Sequence, residues 1–267
     1  MKLHRLGAIA LRMYYLYSGS PTRIMPLFGW VAIDIVVWGF ITRYLNSVSG
    51  SGFNFVPVML GAVLMWDFFS RVMQGVTMAF FEDVWSRNFL NVFATPLRVS
   101  EYLSGLVLAS MATSSVGLIA MLVLAVVVFG LTYLSVGWLL ALFLSILLLF
   151  GIALGIMATA MVLRLGPAAE WLVWPIPAMI SPFVGVFYPL STLPPAMRIV
   201  SRILPPSYVF EGLRALVLGK PFEMWTLYLG ALLAIGYVGL AGWFFNLTYK
   251  QAVRTGLIAR YSAESLS

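Results

Sequence analysis

The sequence predicts an all-α, polytopic membrane protein with six transmembrane helices. An amphipathic interfacial helix precedes them, a short amphipathic helix follows the second, and a re-entrant helical hairpin separates the fifth from the sixth. Three observations carry that reading. Hydrophobic residues make up 62% of the 267 residues and charged residues only 9%, and the mean hydropathy of +0.99 lies far outside the range of soluble globular chains. The apolar residues gather into runs long enough to cross a hydrocarbon core of roughly 30 Å. The polar residues gather between those runs. The chain has no cysteine, which removes disulfides, thiol catalysis and thiolate metal sites together. The net charge of +7 is spread singly between apolar runs instead of forming one patch, so membrane orientation explains it better than a nucleic-acid partner does.

Residues 1–20 carry Lys2, His4, Arg5 and Arg12 among apolar residues at helical spacing. Arg12 in the middle, without a small-residue cleavage site, argues against a signal peptide and for a helix lying in the headgroup layer. Residues 25–44 form the first span, with Asp34 near its midpoint. The second, 55–80, holds Asp67 and Arg71 one turn apart. The third and fourth, 102–129 and 137–163, are almost free of charge. The fifth, 171–190, contains Pro175, Pro177, Pro182 and Pro189, which a membrane helix carries where neighbours satisfy the freed carbonyls. Residues 222–249 form the sixth, and six spans put both termini on one side.

Basic residues choose that side. Lys2, Arg5, Arg12, Arg23, Arg87, Arg98, Arg164, Lys250, Arg254 and Arg260 make ten with the termini, against five opposite, Arg43, Arg198, Arg202, Arg214 and Lys220. The termini are therefore expected in the cytoplasm. Intramembrane charge is costly. Asp67 and Arg71 can satisfy each other, which leaves Arg71 as the expected contact of Asp34, either as a polar lining or gate or as a buried pair fixing helix register. Gly151 and Gly155 form a GxxxG pattern, read as close helix packing within the chain.

The stretch 82–94 interrupts the apolar pattern. Val84, Trp85, Phe89, Val92 and Phe93 share one helical face, while Asp83 and Arg87 lie on the other. An amphipathic helix of roughly 12 residues, about 18 Å long, is too short and too charged to cross. Thr95-Pro96 offers an N-cap and a first-turn proline for the next helix. Residues 194–218 are divided by Pro205-Pro206 into two apolar pieces, each too short to span. They read as a re-entrant hairpin with Arg198 and Arg202 one turn apart on the first piece, and Glu211 and Arg214 three apart and able to pair on the second. Broken, charged backbone at membrane depth requires protein or a wet cavity around it, so this segment is expected to flank a pathway.

The run Tyr188-Pro189-Leu190-Ser191-Thr192-Leu193-Pro194-Pro195, then Leu204-Pro205-Pro206-Ser207-Tyr208 and Glu211-Gly212-Leu213-Arg214-Ala215-Leu216, resembles the C-terminal signature of permease subunits of type-2 ABC exporters. The 82–97 loop, through Thr95-Pro96-Leu97, is similar to the first cytoplasmic loop of that family. The resemblance implies a half-transporter in a bacterial plasma (inner) membrane, paired with a second permease copy and driven by separate cytoplasmic ATPase subunits. Residues 82–94 would then be the coupling helix, with Trp85, Phe89 and Phe93 as anchors in the ATPase groove and Glu82, Asp83 and Arg87 as its charged rim. ATP and Mg would be bound by the ATPase, with no cofactor or metal in this chain and no catalysis by it. The nearest phosphate-loop candidate, Gly219-Lys220-Pro221, lacks the glycine spacing and the Ser or Thr. The substrate class implied is amphipathic, lipid-linked or drug-like. An ion-coupled secondary transporter with Asp34 and Asp67 as proton sites is the alternative, although no inverted repeat is evident. His4 is the lone histidine, which excludes serine-histidine triads and H-E-x-x-H zinc sites.

Overall fold

The computed structural model describes residues 21–49, 56–86, 97–130, 137–221 and 223–256, with isolated positions at 5, 7–9, 11–12, 15, 19, 91 and 95. All regular structure among them is helical. The long helices are α1 (Pro21–Ser49), α2 (Val56–Trp85), α3 (Val99–Phe129) and α4 (Trp138–Leu165). Short pieces follow: a 3-10 turn (Pro167–Leu172), α5 (Ile176–Val184), a second 3-10 turn (Leu190–Thr192), α6 (Pro195–Ile203) and α7 (Pro205–Val217). The long helix α8 (Met224–Arg254) closes the order. Five helices are long and apolar enough to cross a membrane, so the protein is a multi-pass membrane protein.

Helix α2 is the most enclosed, with 61% of its apolar window buried, and α4 follows at 50%, whereas α1, α3 and α8 bury 18–22% and turn large apolar side chains outward. That division is what a bundle in lipid requires, since outward faces need no polar cover there. The α2–α4 contact is close because α4 offers glycines: a Cβ at Gly155 would stand 2.8 Å from the Met73 carbonyl oxygen, and one at Gly151 3.1 Å from that of Phe69. The GxxxG pattern thus serves packing within the chain. Phe150 stacks on Phe69 at 5.7 Å and meets Tyr237 of α8 edge-on at 5.1 Å.

These contacts fix direction. Residues 69 and 73 of α2 match 151 and 155 of α4 in rising order. Phe143 and Leu227 meet at Gly212, and Phe150 meets Tyr237 further along both helices. Helices α2, α4 and α8 therefore run the same way. Helix α3 runs opposite to α2, because Ser110 Oγ donates to Val72 O at 2.7 Å while Tyr102 reaches Asp83. The chain must return across the bundle between α4 and α8, and it does so in pieces.

The fifth expected span, 171–190, is not one helix. Pro175 stands at the N-cap of α5, Pro177 and Pro182 each remove a backbone donor, and Gly185, left-handed at φ 65°, ends the helix after nine residues. Helices α6 and α7 complete the return as two short pieces hinged at Leu204-Pro205. The second span is longer than expected at its other end. Helix α2 continues through Trp85, so Glu82, Asp83 and Trp85 occupy its last turn instead of opening a separate helix. Arg87, Phe89 and Phe93, with most of the expected 82–94 helix, lie outside the described residues. The third helix begins at Val99, three residues beyond Pro96, with Arg98 at its N-cap and Glu101 accepting the Arg98 N–H at 3.1 Å.

Candidate functional site

Three polar sites lie along the bundle: at the end holding the C-termini of α2, α4 and α8, in the middle, and at the opposite end. At the first, Asp83 is fully buried. One carboxylate oxygen accepts from the Arg12 guanidinium and the other from Tyr102 Oη at 2.9 Å. Glu101, also buried, accepts from Arg5 Nη1 at 2.9 Å. Positions 5, 7–9, 11, 12 and 15 are helical, and two arginines of that stretch grip carboxylates at the end of α2 and the start of α3. Asp83 is thereby withdrawn from the charged rim expected of it, because a charge that far from water survives only with its donors in place.

Trp85, one residue past Val84, is half exposed. Its ring stacks on Phe81 at 5.6 Å, and its Nε1 donates to Glu170 Oε2 at 3.2 Å. Trp171, the residue after Glu170, is 80% exposed. The first 3-10 turn is thus tied to the end of α2 through Glu170. Glu82 is part-exposed on the last turn of α2. Sequence patterning places Trp171 in a span, reads Arg5 and Arg12 only as headgroup and orientation charges, and gives Glu101, Tyr102 and Glu170 no contact. The available signal was the pair Glu101-Tyr102 opening an apolar run where neither was needed for solubility.

In the middle, Arg71 Nε donates to Asp67 Oδ2 at 2.5 Å, as the i,i+4 spacing predicts. Asp34 of α1 lies within electrostatic reach of both. Gly117 of α3 makes room for the arginine, since a Cβ there would stand 3.2 Å from Arg71 Cδ. Two carboxylates and one guanidinium therefore share a junction of α1, α2 and α3.

At the opposite end, Glu211 and Arg214 pair as expected, Nη1 to Oε1 at 2.7 Å. Glu211 Oε1 also accepts the Leu190 N–H at 2.7 Å, and Arg214 Nη2 donates to Gly185 O and Tyr188 O at 2.7 and 3.0 Å. Helix α5 leaves its last carbonyls without intrahelical donors, and side chains supply them. Tyr188 Oη donates to Pro182 O, Ser201 Oγ to Phe183 O, and Arg214 to Gly185 O. The Glu-x-x-Arg pair is thus a clasp holding α5, the loop after it and α7 together. Arg198 Nε donates to Leu193 O at 2.9 Å, and Arg202 is exposed. Both border a half-open cavity of about 280 Å³. Among the described residues no group of His, Cys, Asp and Glu suits a metal ion.

A family model described as ABC-2 family transporter protein matches residues 39–245, more than half of the chain. No curated protein matches it.

Proposed function

Because the chain belongs to the ABC-2 transporter family, and is therefore a permease that works with an ATPase subunit, we propose that it is half of an ATP-driven exporter in a bacterial plasma membrane. It pairs with a second copy of itself, and both termini face the cytoplasm. The ATPase is a separate chain that binds ATP and Mg. The cargo is amphipathic, lipid-linked or drug-like, and leaves the cytoplasm or inner leaflet by alternating access. The placement of cationic residues supports the orientation: Arg5, Arg12, Arg98, Arg164, Lys250 and Arg254 gather at the end bearing Trp85.

The observation that carries the reading is the half-exposed Trp85 at the end of the most enclosed helix, bonded to Glu170 of the 3-10 turn that also carries the exposed Trp171. Exposed indoles with a carboxylate rim from Glu82 and Glu170 have the make-up of a protein-binding hot spot. Displacement there travels along α2 as a rigid rod. The rod passes Asp67 and Arg71 and reaches Trp66, which packs against Phe210 of α7 at 6.2 Å. Asp34, Asp67, Arg71, Arg198, Arg202, Glu211 and Arg214 are the candidate pathway or gate residues along it.

The test is co-expression with an ABC ATPase. Trp85→Ala and Glu82→Lys should reduce ATPase copurification at least fivefold while permease abundance in the membrane is unchanged. Unaltered copurification together with unaltered transport overturns the assignment. Transport abolished by a proton uncoupler, with no ATPase required, would favour Asp34 and Asp67 as ion-coupling sites instead.

A further inference from the structure

The positive-inside count leaves Arg198, Arg202, Arg214 and Lys220 unexplained on the sparsely charged side, and the structure accounts for them unequally. Arg214 is spent on Glu211 and two carbonyls. Arg198 gives only its Nε to the chain, to Leu193 O. Neither Arg198 nor Arg202 has a carboxylate at ion-pair distance among the described residues. Both line the cavity of about 280 Å³ between α6, α7 and the start of α8. Ser207 lines it too. It is 1% exposed, and its Oγ has no hydrogen-bond partner among the described residues. A buried hydroxyl without a partner costs stability unless something fills its place. Glu211, on the same wall, is already neutralised by Arg214 and the Leu190 N–H.

We propose that this cavity binds the phosphate of an anionic amphiphile, held by Arg198 and Arg202 with Ser207 Oγ as a further donor. Guanidinium forks one helical turn apart match phosphate oxygens in geometry and charge. Ser207 stands in the first turn of α7, where the helix dipole adds positive potential. Helix α6 fixes the depth. Its arginines face the cavity while Ile199 and Ile203, 66% and 54% exposed, turn away from them, as on a helix lying in the interface with acyl chains on one side and headgroups on the other. The site stands on this geometry alone. Only its assignment to the outer leaflet rests on the orientation proposed above.

The experiment measures binding without the ATPase, so its outcome is independent of transport. The full chain in neutral maltoside micelles is titrated with dihexanoylphosphatidylglycerol, with dihexanoylphosphatidylcholine and with inorganic phosphate, and occupancy is read by native mass spectrometry. The anionic lipid should bind at least tenfold tighter than the zwitterionic one. R198Q/R202Q should lose at least tenfold, R202Q alone about threefold, and R198K/R202K should retain most of the binding. R202Q changes an exposed side chain, and S207A, expected to lose about threefold, removes a hydroxyl bonded to nothing among the described residues; both keep the test open if the double variant misfolds. Competition by inorganic phosphate supports the site with free phosphate as an accepted ligand. Absence of competition supports it with a lipid or lipid-linked headgroup as the source. Equal binding of the two lipids, or anionic-lipid binding unchanged in R202Q and S207A, overturns the proposal.

Discussion

Asp83 shows how little of a charged residue's role is written beside it in the chain. Its neighbours Glu82 and Trp85 face outward, yet its own carboxylate is sealed between Arg12 and Tyr102, which come from before and after it in sequence. Arg12→Gln leaves that carboxylate buried without its counter-charge. The expected loss is about 2 kcal/mol, below the 3–5 typical of a fully buried pair because the Arg12 side chain is one-third exposed. Tyr102→Phe removes one hydrogen bond to the same carboxylate and should cost about 1.5–3 kcal/mol. Thermal unfolding midpoints in detergent check both, and the double variant should fall short of the sum, because both changes act on one acceptor. Asp67–Arg71 and Glu211–Arg214 were legible from spacing alone, being i,i+4 and i,i+3 pairs on single helices. The arginine partners of Asp83 and Glu101 lie 71 and 96 residues away, and no local pattern announces them.

Elements stop and start where proline, glycine and packing dictate. Helix α2 runs on past residue 80 because Phe80, Phe81 and Val84 still find a buried face, so the helix ends where cover ends and not where hydropathy falls. Close approach of α2 and α4 depends on a missing side chain. Gly155→Ala pushes a methyl within 2.8 Å of a backbone oxygen, and overpacking of that kind costs about 1–3 kcal/mol. Gly239→Ala on α8, whose added Cβ meets nothing within 4 Å among the described residues, should not lower the melting midpoint and should raise it slightly through helix propensity, which separates helix contact from helix propensity. The clasp at the other end is tested through the loop it holds. Arg214→Gln withdraws donors from Gly185 O and Tyr188 O, and a Tyr188→Cys reporter should then react with a thiol reagent several-fold faster than in the parent. The fifth segment reads from the sequence as one span that carries its prolines, but Pro182 and Gly185 end α5 after nine residues. The two short helices after it, α6 and α7, divide next to Pro205-Pro206, where the prolines of 194–218 place the break.

At the scale of the whole molecule, three helices of like direction, α2, α4 and α8, form the frame, and everything between them is a return path. The first return is one straight helix, α3. The second is broken into α5, α6 and α7 and carries the hairpin cavity. Trp85, at the C-terminal end of α2, and the hairpin, packed near Trp66 and Phe143, stand at opposite ends of the bundle, so the two face opposite sides of the membrane. The chain has no native cysteine, which makes that separation directly measurable. Ser191→Cys should react with an impermeant maleimide in intact cells, and Ser86→Cys only after permeabilisation. Labelling of both from one side would contradict the topology.

By itself the sequence determined that the protein is helical and multi-pass, that residues 194–218 break at their paired prolines, and which charges pair along a single helix. Those properties follow from local hydropathy, from backbone chemistry and from the 3.6-residue repeat. Only the tertiary structure decided that Asp83 supports the fold from within, that Glu170 ties the first 3-10 turn to Trp85, and that Arg198, Arg202 and Ser207 converge on a cavity. Each of those depends on the relative direction and depth of helices far apart in the chain, and in lipid that arrangement is set by packing and by satisfying buried polar groups, which no single segment contains.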